Sequence, residues 1–266
     1  MIKLATIKTW RRDRLIDDYL SKQLYGNVAG YKNNRAGALV STSEGELSRN
    51  GYYKMGRLDL EKVQEIRSRF LDIVDDPDHT DFVSSRRNGY RDGDKIYRYV
   101  LKDALLSIPE LEKLLKGRVT RFLNSHYLQP YRLHSAGVWR TAHVPEDIAK
   151  TDPPYSLKWH SDHHTTDTVK FFILLSDVTE KDGPLHYLSK RWTKEIIRRG
   201  FRDRQNYGVS TTEFEDPRYL QKLVGTIGNS LFCNTTMCLH RAGIPDPGRI
   251  RDIIQFRFEA IRESTQ

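Results

Sequence analysis

The chain is poor in cysteine, with two in 266 residues, Cys233 and Cys238. Two thiols cannot build a disulfide framework. No C-x-x-C or paired His/Cys set accompanies them, so neither is a candidate zinc ligand. Their odd spacing in a stretch that reads as a strand sends them to opposite faces and predicts two unpaired structural thiols. Long apolar runs are also missing. Nothing approaches the roughly 18 residues of a membrane-spanning helix. The opening residues, MIKLATIKTWRRDRLIDDYL, contain basic side chains but no apolar core of a signal peptide. Asp13, Asp17 and Asp18 argue against an acid-poor transit peptide. These absences lead to the expectation of a cytoplasmic protein. There is no internal repeat, no low-complexity tract and no nucleic-acid recognition motif.

Positive charge is in excess. The net charge is +9 and the isoelectric point about 9.4. Lys and Arg are spread along the chain and mixed with acids. The densest run, Arg198, Arg199, Arg202 and Arg204, is interrupted by Asp203. That dispersion predicts a solvated basic surface first and an anionic small molecule second. It argues against nucleic acid as a partner, because no reading motif accompanies the charge.

The length suits one large domain with its own core. Residues 10–24 read as a short amphipathic helix, and 26–46, rich in Gly, Asn and Ser, as loop. A helix over 59–74 is predicted from Val63, Ile66, Phe70 and Ile73, with Asp59 as its cap. Asp75-Asp76-Pro77 stops it. Residues 79–95 are polar, with turn signals at Asn88-Gly89 and Asp92-Gly93. A second helix opens at Pro109 and runs to Tyr127 on a Leu111, Leu114, Leu115, Val119, Phe122 and Leu123 face. After Pro130 the pattern turns to short strands at 134–142, 155–162, 168–178, 184–188, 226–239 and 249–260, with a basic insert at 191–222. Helices first and strands after predict a mainly β protein with flanking helices on a jelly-roll core.

The second half also carries the chemistry. In Trp159-His160-Ser161-Asp162, residues i and i+2 of a strand share a face, so His160 and Asp162 would project together. His240 ends a later strand-like run. Two His and one carboxylate, leaving three open positions, form the facial triad of non-haem Fe(II) oxygenases. A bare H-x-D is common, so the surrounding segments decide its weight.

Those segments are Leu47-Ser48-Arg49-Asn50-Gly51-Tyr52-Tyr53 before the 59–74 helix, the His160-x-Asp162 motif, and Phe171-Phe172-Ile173-Leu174-Leu175-Ser176-Asp177-Val178 leading to Asp182-Gly183-Pro184-Leu185. The last is Gly228-Asn229-Ser230-Leu231-Phe232, ending in His240-Arg241-Ala242-Gly243. In order and spacing they resemble the phytanoyl-CoA dioxygenase-like group of 2-oxoglutarate-dependent oxygenases over about residues 47–260. Asn229 stands where that group often has Asp, and Leu188-Ser189-Lys190 replaces its usual element after the turn.

The resemblance implies a double-stranded β-helix, cupin-like core in residues 47–266, after an N-terminal extension of residues 1–46. It implies Fe(II) on His160, Asp162 and His240, with 2-oxoglutarate and O2 as cosubstrates. It also implies an arginine for the distal carboxylate of 2-oxoglutarate, on the strand after His240. Arg251 fits that place, with Arg249 as the alternative. Gln255 and Ile253 share Arg251's parity, Phe172 resembles an aromatic beside the cosubstrate, and Trp139 and Arg140 precede the metal motif. His164 is a candidate neighbour of the metal ligands, and His163 reads as solvent-facing. Asp162 favours hydroxylation, since halogenating relatives carry a small residue there; desaturation or cyclisation uses the same ligands. The insert at 191–222 and the loops at 26–46 and 79–95 are candidate lids. Arg86, Arg87, Tyr97, Arg98, Tyr99, Arg202 and Tyr207 there suit a small polar or anionic substrate. The rival readings are a non-catalytic jelly-roll sensor and a nucleic-acid-acting oxygenase.

Overall fold

Among the residues described by the computed structural model (42–75, 90–92, 95–102, 104–127, 130–151, 155–202 and 208–261), ten strands form two antiparallel sheets. The strands are β1 (Tyr52–Arg57), β2 (Tyr90–Asp92), β3 (Lys95–Lys102), β4 (Tyr131–Ala142), β5 (Val169–Leu174), β6 (Leu185–Tyr187), β7 (Gln221–Leu223), β8 (Asn229–Cys233), β9 (His240–Ala242) and β10 (Ile250–Ala260). The larger sheet runs β1-β8-β5-β10-β4-β3-β2, and the smaller runs β7-β6-β9. This is the expected mainly β core with flanking helices.

The two faces of the large sheet are both buried, but against different partners. One face presents Phe171, Ile173, Phe232, Ile254, Phe256 and Val138 to the helices. These helices are α1 (Thr42–Asn50), α2 (Leu60–Asp75), α3 (Ala104–Ser107), α4 (Leu111–Leu115) and α5 (Arg118–His126). Val63, Ile66 and Phe70 of α2, the residues that predicted it, are fully buried in this layer. The other face presents Phe172, Leu174, Leu231, Cys233 and Ile253 toward Leu185, Tyr187 and Leu223 of the smaller sheet. Period-2 alternation thus divides each strand between a helix-packed layer and an inter-sheet layer.

Phe232 anchors the helix-packed layer. Its ring stacks at 4.1 Å on Phe171 and 4.4 Å on Phe122 of α5. Phe232→Ala leaves a cavity that neighbouring strands cannot collapse into, and should cost about 3–5 kcal/mol. Urea unfolding tests this: the midpoint should fall with the slope unchanged.

Several local readings differ from the structure. The predicted helix from Pro109 is two helices, α4 and α5, broken at Gly117, whose φ is 69°. Residues 42–46, read as the end of a loop, belong to the helix Thr42–Asn50, held by buried Leu47. The strands β2 and β3 pair antiparallel at the sheet edge, so Tyr97, Arg98 and Tyr99 are strand residues, not lid. Residues 155–162 are a short 3-10 turn at Tyr155–Leu157 and a single bridge at His160, because the amide of Asp162 bonds Thr235 instead of continuing a ladder. After α6 (Glu146–Thr151), the insert region contains a helix, α7 (Lys190–Arg198), capped by Ser189. The predicted 10–24 helix, the 26–41 part of the loop, Arg86, Arg87 and Tyr207 lie outside the described residues. No helix among those described is long and apolar enough to cross a membrane.

The cysteines correct one argument. Both are free, as expected. They do not face opposite ways: both lie in the inter-sheet cluster. The strand ends at Cys233, and a turn with Met237 and Cys238 amides bonded to the Asn234 carbonyl resets the alternation. A thiol hydrogen bond to Cys238 and burial both push the Cys233 pKa up. Gly51 makes this approach possible. It has a φ of 82°, and a Cβ there would lie 2.3 Å from the Cys238 sulfur.

Candidate metal centre

His160 and His240 are locked to each other by their backbones. Each amide donates to the other's carbonyl, at 3.1 and 2.9 Å. Their side chains repeat one arrangement. His160 Nδ1 lies 2.7 Å from the Lys158 carbonyl, and His240 Nδ1 lies 3.0 Å from the Cys238 carbonyl. A carbonyl only accepts, so each Nδ1 carries the proton and each Nε2 is a lone-pair donor. The two Nε2 atoms turn to one carboxylate: His160 Nε2 is 3.7 Å from Asp162 Oδ1, and His240 Nε2 is 3.7 Å from Asp162 Oδ2. One ligand atom from each residue lies within 4.8 Å of the others, and both histidines are buried.

The surroundings fix the ligands in place. Trp159 is fully buried and stacks on Phe214 of the insert at 5.3 Å. The Asp162 amide donates to the Thr235 carbonyl at 2.9 Å. Burial alone would raise the Asp162 carboxyl. The Lys170 ammonium foremost, with His240 and the Thr235 hydroxyl, overrides it and holds the group well below the usual carboxylate range. An ionised carboxylate beside two neutral imidazoles is the protonation state a divalent metal requires.

A second group of polar residues lines the inter-sheet face. Arg98 on β3, Thr141 on β4 and Arg251 on β10 are register partners across three neighbouring strands. Arg251 is 4% exposed, and its Nε and Nη1 find no hydrogen-bond partner among the described residues. Its Nη2 reaches the Thr141 hydroxyl at 3.4 Å. Arg98 donates to Ser156 Oγ at 2.8 Å and lies 3.9 Å over the Trp139 ring. Burial and then Arg251 push the Arg98 pKa down to about 9. Burial pushes Arg251 down to about 10, against the opposing pull of Asp252. Two buried guanidiniums side by side make a strong demand for an anion.

The other candidates separate cleanly. Arg249 is half exposed, 3.6 Å from Asp182, so of the two arginines Arg251 is the buried one. Phe172 and Gln255 are register partners, and Ile253 and Trp139 join Phe172 in the inter-sheet layer. Arg140 does not belong with them. It forms a two-pronged ion pair with Asp252 at 2.8 Å and lies over Phe70, on the helix-packed face. Alternation explains this, since Arg140 has the opposite parity to Trp139 and Thr141. His163 is exposed, as expected. His164 accepts from Arg257 Nη1 at 3.2 Å. Burial lowers its pKa, with Asp162 opposing.

The architecture can now be compared with solved structures. The SnoN epimerase, in complex with Fe3+, alpha ketoglutarate and nogalamycin RO, aligns over 82% of each chain at 16% identity and a TM-score of 0.57. The carbocyclase SnoK, also from nogalamycin biosynthesis and alpha ketoglutarate dependent, aligns over 84% of each chain at 15% identity and a TM-score of 0.58. HygX from Streptomyces hygroscopicus, with nickel, 2-oxoglutarate and hygromycin B bound, aligns over 84% of this chain and 88% of its own, at 16% identity and a TM-score of 0.57. The chain has the fold of the non-haem, 2-oxoglutarate-dependent enzymes. No protein-family model and no curated protein matches it by sequence.

Arg98 was named from the sequence only among candidate lid residues suited to an anionic substrate; the structure places it on β3 beside Arg251. Lys170 was not singled out. It was legible as the only charge in Val169–Leu174, a strand buried at every position. A lysine within such a run is rare without a partner.

Proposed function

We propose that this protein is an Fe(II)- and 2-oxoglutarate-dependent oxygenase of the phytanoyl-CoA dioxygenase-like group, hydroxylating a small polar or anionic molecule. The observation that carries the reading is the convergence of His160 Nε2, His240 Nε2 and an ionised Asp162 within 4.8 Å. The donor set fits iron: two neutral imidazoles and one carboxylate on one side, with the remaining positions open. The cosubstrate fits as well, because Arg251 is buried and its Nε and Nη1 have no hydrogen-bond partner among the described residues.

In this reading His160, Asp162 and His240 hold the metal. Arg251, supported by Thr141 and Arg98, takes the distal carboxylate of 2-oxoglutarate, and Phe172, Trp139 and Gln255 line its path. Bound iron would couple the decarboxylation of 2-oxoglutarate by O2, to succinate and CO2, to oxidation of a substrate C–H bond. The protein orients both molecules and excludes water. The 191–222 insert serves as a lid, because α7 packs through Ile196 on the cluster that holds Trp159, next to His160. SnoN in complex with nogalamycin RO and HygX with hygromycin B bound support the reading of a small-molecule substrate.

The test is succinate release from the purified chain with Fe(II), ascorbate and 2-oxoglutarate, screened over amino acids, sugars, acyl conjugates and natural-product intermediates. Stimulated succinate with a product heavier by one oxygen is the expected outcome. A chain that binds the metal and 2-oxoglutarate yet releases no succinate with any compound would favour the sensor reading.

A further inference from the structure

Lys170 sits on β5, which is buried along its whole length. It shares parity with Phe172 and Leu174 and therefore faces the inter-sheet layer. In the register it lies opposite Cys233 of β8 and Arg257 of β10. Its Nζ is 2.6 Å from Asp162 Oδ2. Arg257, the neighbouring cation, turns Nη1 to His164 at 3.2 Å. Burying an ammonium and a carboxylate together carries a desolvation cost that an apolar pair would avoid. A stability role therefore accounts poorly for a lysine at this place.

The carboxylate's two oxygens suggest another role. A carboxylate ligand can grip a metal with one oxygen or with both. With both, Asp162 would take a further position and leave two rather than three open, too few for a chelating 2-oxo acid and O2 together. We propose that Lys170 is a positioning residue that holds one oxygen of Asp162, so that the carboxylate offers the metal only the other. This inference rests on the proposed metal and cosubstrate reading. It assigns Lys170 a purpose distinct from charge balance: keeping a coordination position open.

Cobalt(II) binding, followed by 2-oxoglutarate binding to the cobalt form, tests this without turnover. The wild-type chain should take up one Co(II) and then 2-oxoglutarate. In Lys170→Met, Co(II) should bind as tightly as in wild type or more tightly, because a repelling cation is gone and a second oxygen is free. Affinity of that cobalt form for 2-oxoglutarate should fall about tenfold, the scale of losing a partner to a metal ligand. Lys170→Arg, which keeps a cation there, should recover most of it. Damage to the fold would lower both affinities, so the opposite movement of the two is the signature. Lys170→Gln provides the same contrast if the methionine variant does not fold. Unchanged 2-oxoglutarate affinity in the neutral variants, or a parallel loss of both affinities, overturns the role of Lys170 alone. A wild-type chain that takes up no Co(II) overturns the metal reading beneath it.

Discussion

His160→Ala and His240→Ala should each abolish metal-dependent turnover of 2-oxoglutarate, and each should weaken divalent metal binding by more than about a hundredfold, beyond what is typical of removing an outer partner. The expectation follows from how the site is built. Each imidazole is held by its own Nδ1–H on a carbonyl and by the backbone pair between residues 160 and 240. Removing one ring leaves the rest of the frame intact, since the backbone bridge does not depend on the side chain, and opens a ligand position for which no further His, Cys, Asp or Glu stands ready among the described residues. The variants should therefore fold, and circular dichroism should show wild-type strand content. Isothermal titration with Mn(II) or Co(II) reads the metal affinity, and succinate release reads turnover. A variant that kept full succinate production would show that the ligand assignment is wrong.

Arg251→Ala should raise the apparent Kd for 2-oxoglutarate by roughly 30- to 700-fold while leaving metal affinity near wild type. Truncating one partner of a buried charged pair costs about 2–4 kcal/mol, and each 1.4 kcal/mol is tenfold. Arg251 supplies a guanidinium with two nitrogens that have no hydrogen-bond partner among the described residues. Arg98 already spends Nη1 on Ser156 and lies over Trp139, so it substitutes poorly. Arg251→Lys should restore only part of the affinity, because an ammonium cannot present the planar fork. Titration of 2-oxoglutarate into the Co(II) form measures this directly. An unchanged Kd would move the anchor elsewhere on the inter-sheet face, with Arg98 first in line.

The contrast between Arg251 and Arg249 shows what alternation could and could not reveal. Both lie after His240, and parity alone does not separate them. The strand begins at Ile250, which leaves Arg249 at its mouth in solvent. Parity did separate Trp139 from Arg140, had it been applied: one faces Arg98 and the other Asp252. The metal motif was legible for a different reason from the one that predicted it. His160 and Asp162 do converge, yet Asp162 is not on a strand; the turn that bonds its amide to Thr235 brings it in. The helix α2 was readable because Val63, Ile66, Phe70 and Ile73 keep one face apolar, and β4 and β10 because their apolar residues recur with period two, although Arg140 and Asp252 interrupt the helix-packed face. The strand β3 was not readable, because turn signals just before it dominate that window and its pairing with β4 is not visible in the sequence. That pairing is long-range, and it is what brings Arg98 beside Arg251.

In the proposed function one metal and one 2-oxoglutarate bind together between the sheets. Anaerobic addition of Fe(II) and 2-oxoglutarate to the wild-type chain is the decisive test. A 2-oxo acid chelating Fe(II) gives a visible charge-transfer absorption that neither gives separately in the protein. This band should saturate at one equivalent of iron per chain and be absent from His240→Ala. No band in the wild type with both present, or an undiminished band in His240→Ala, would contradict it.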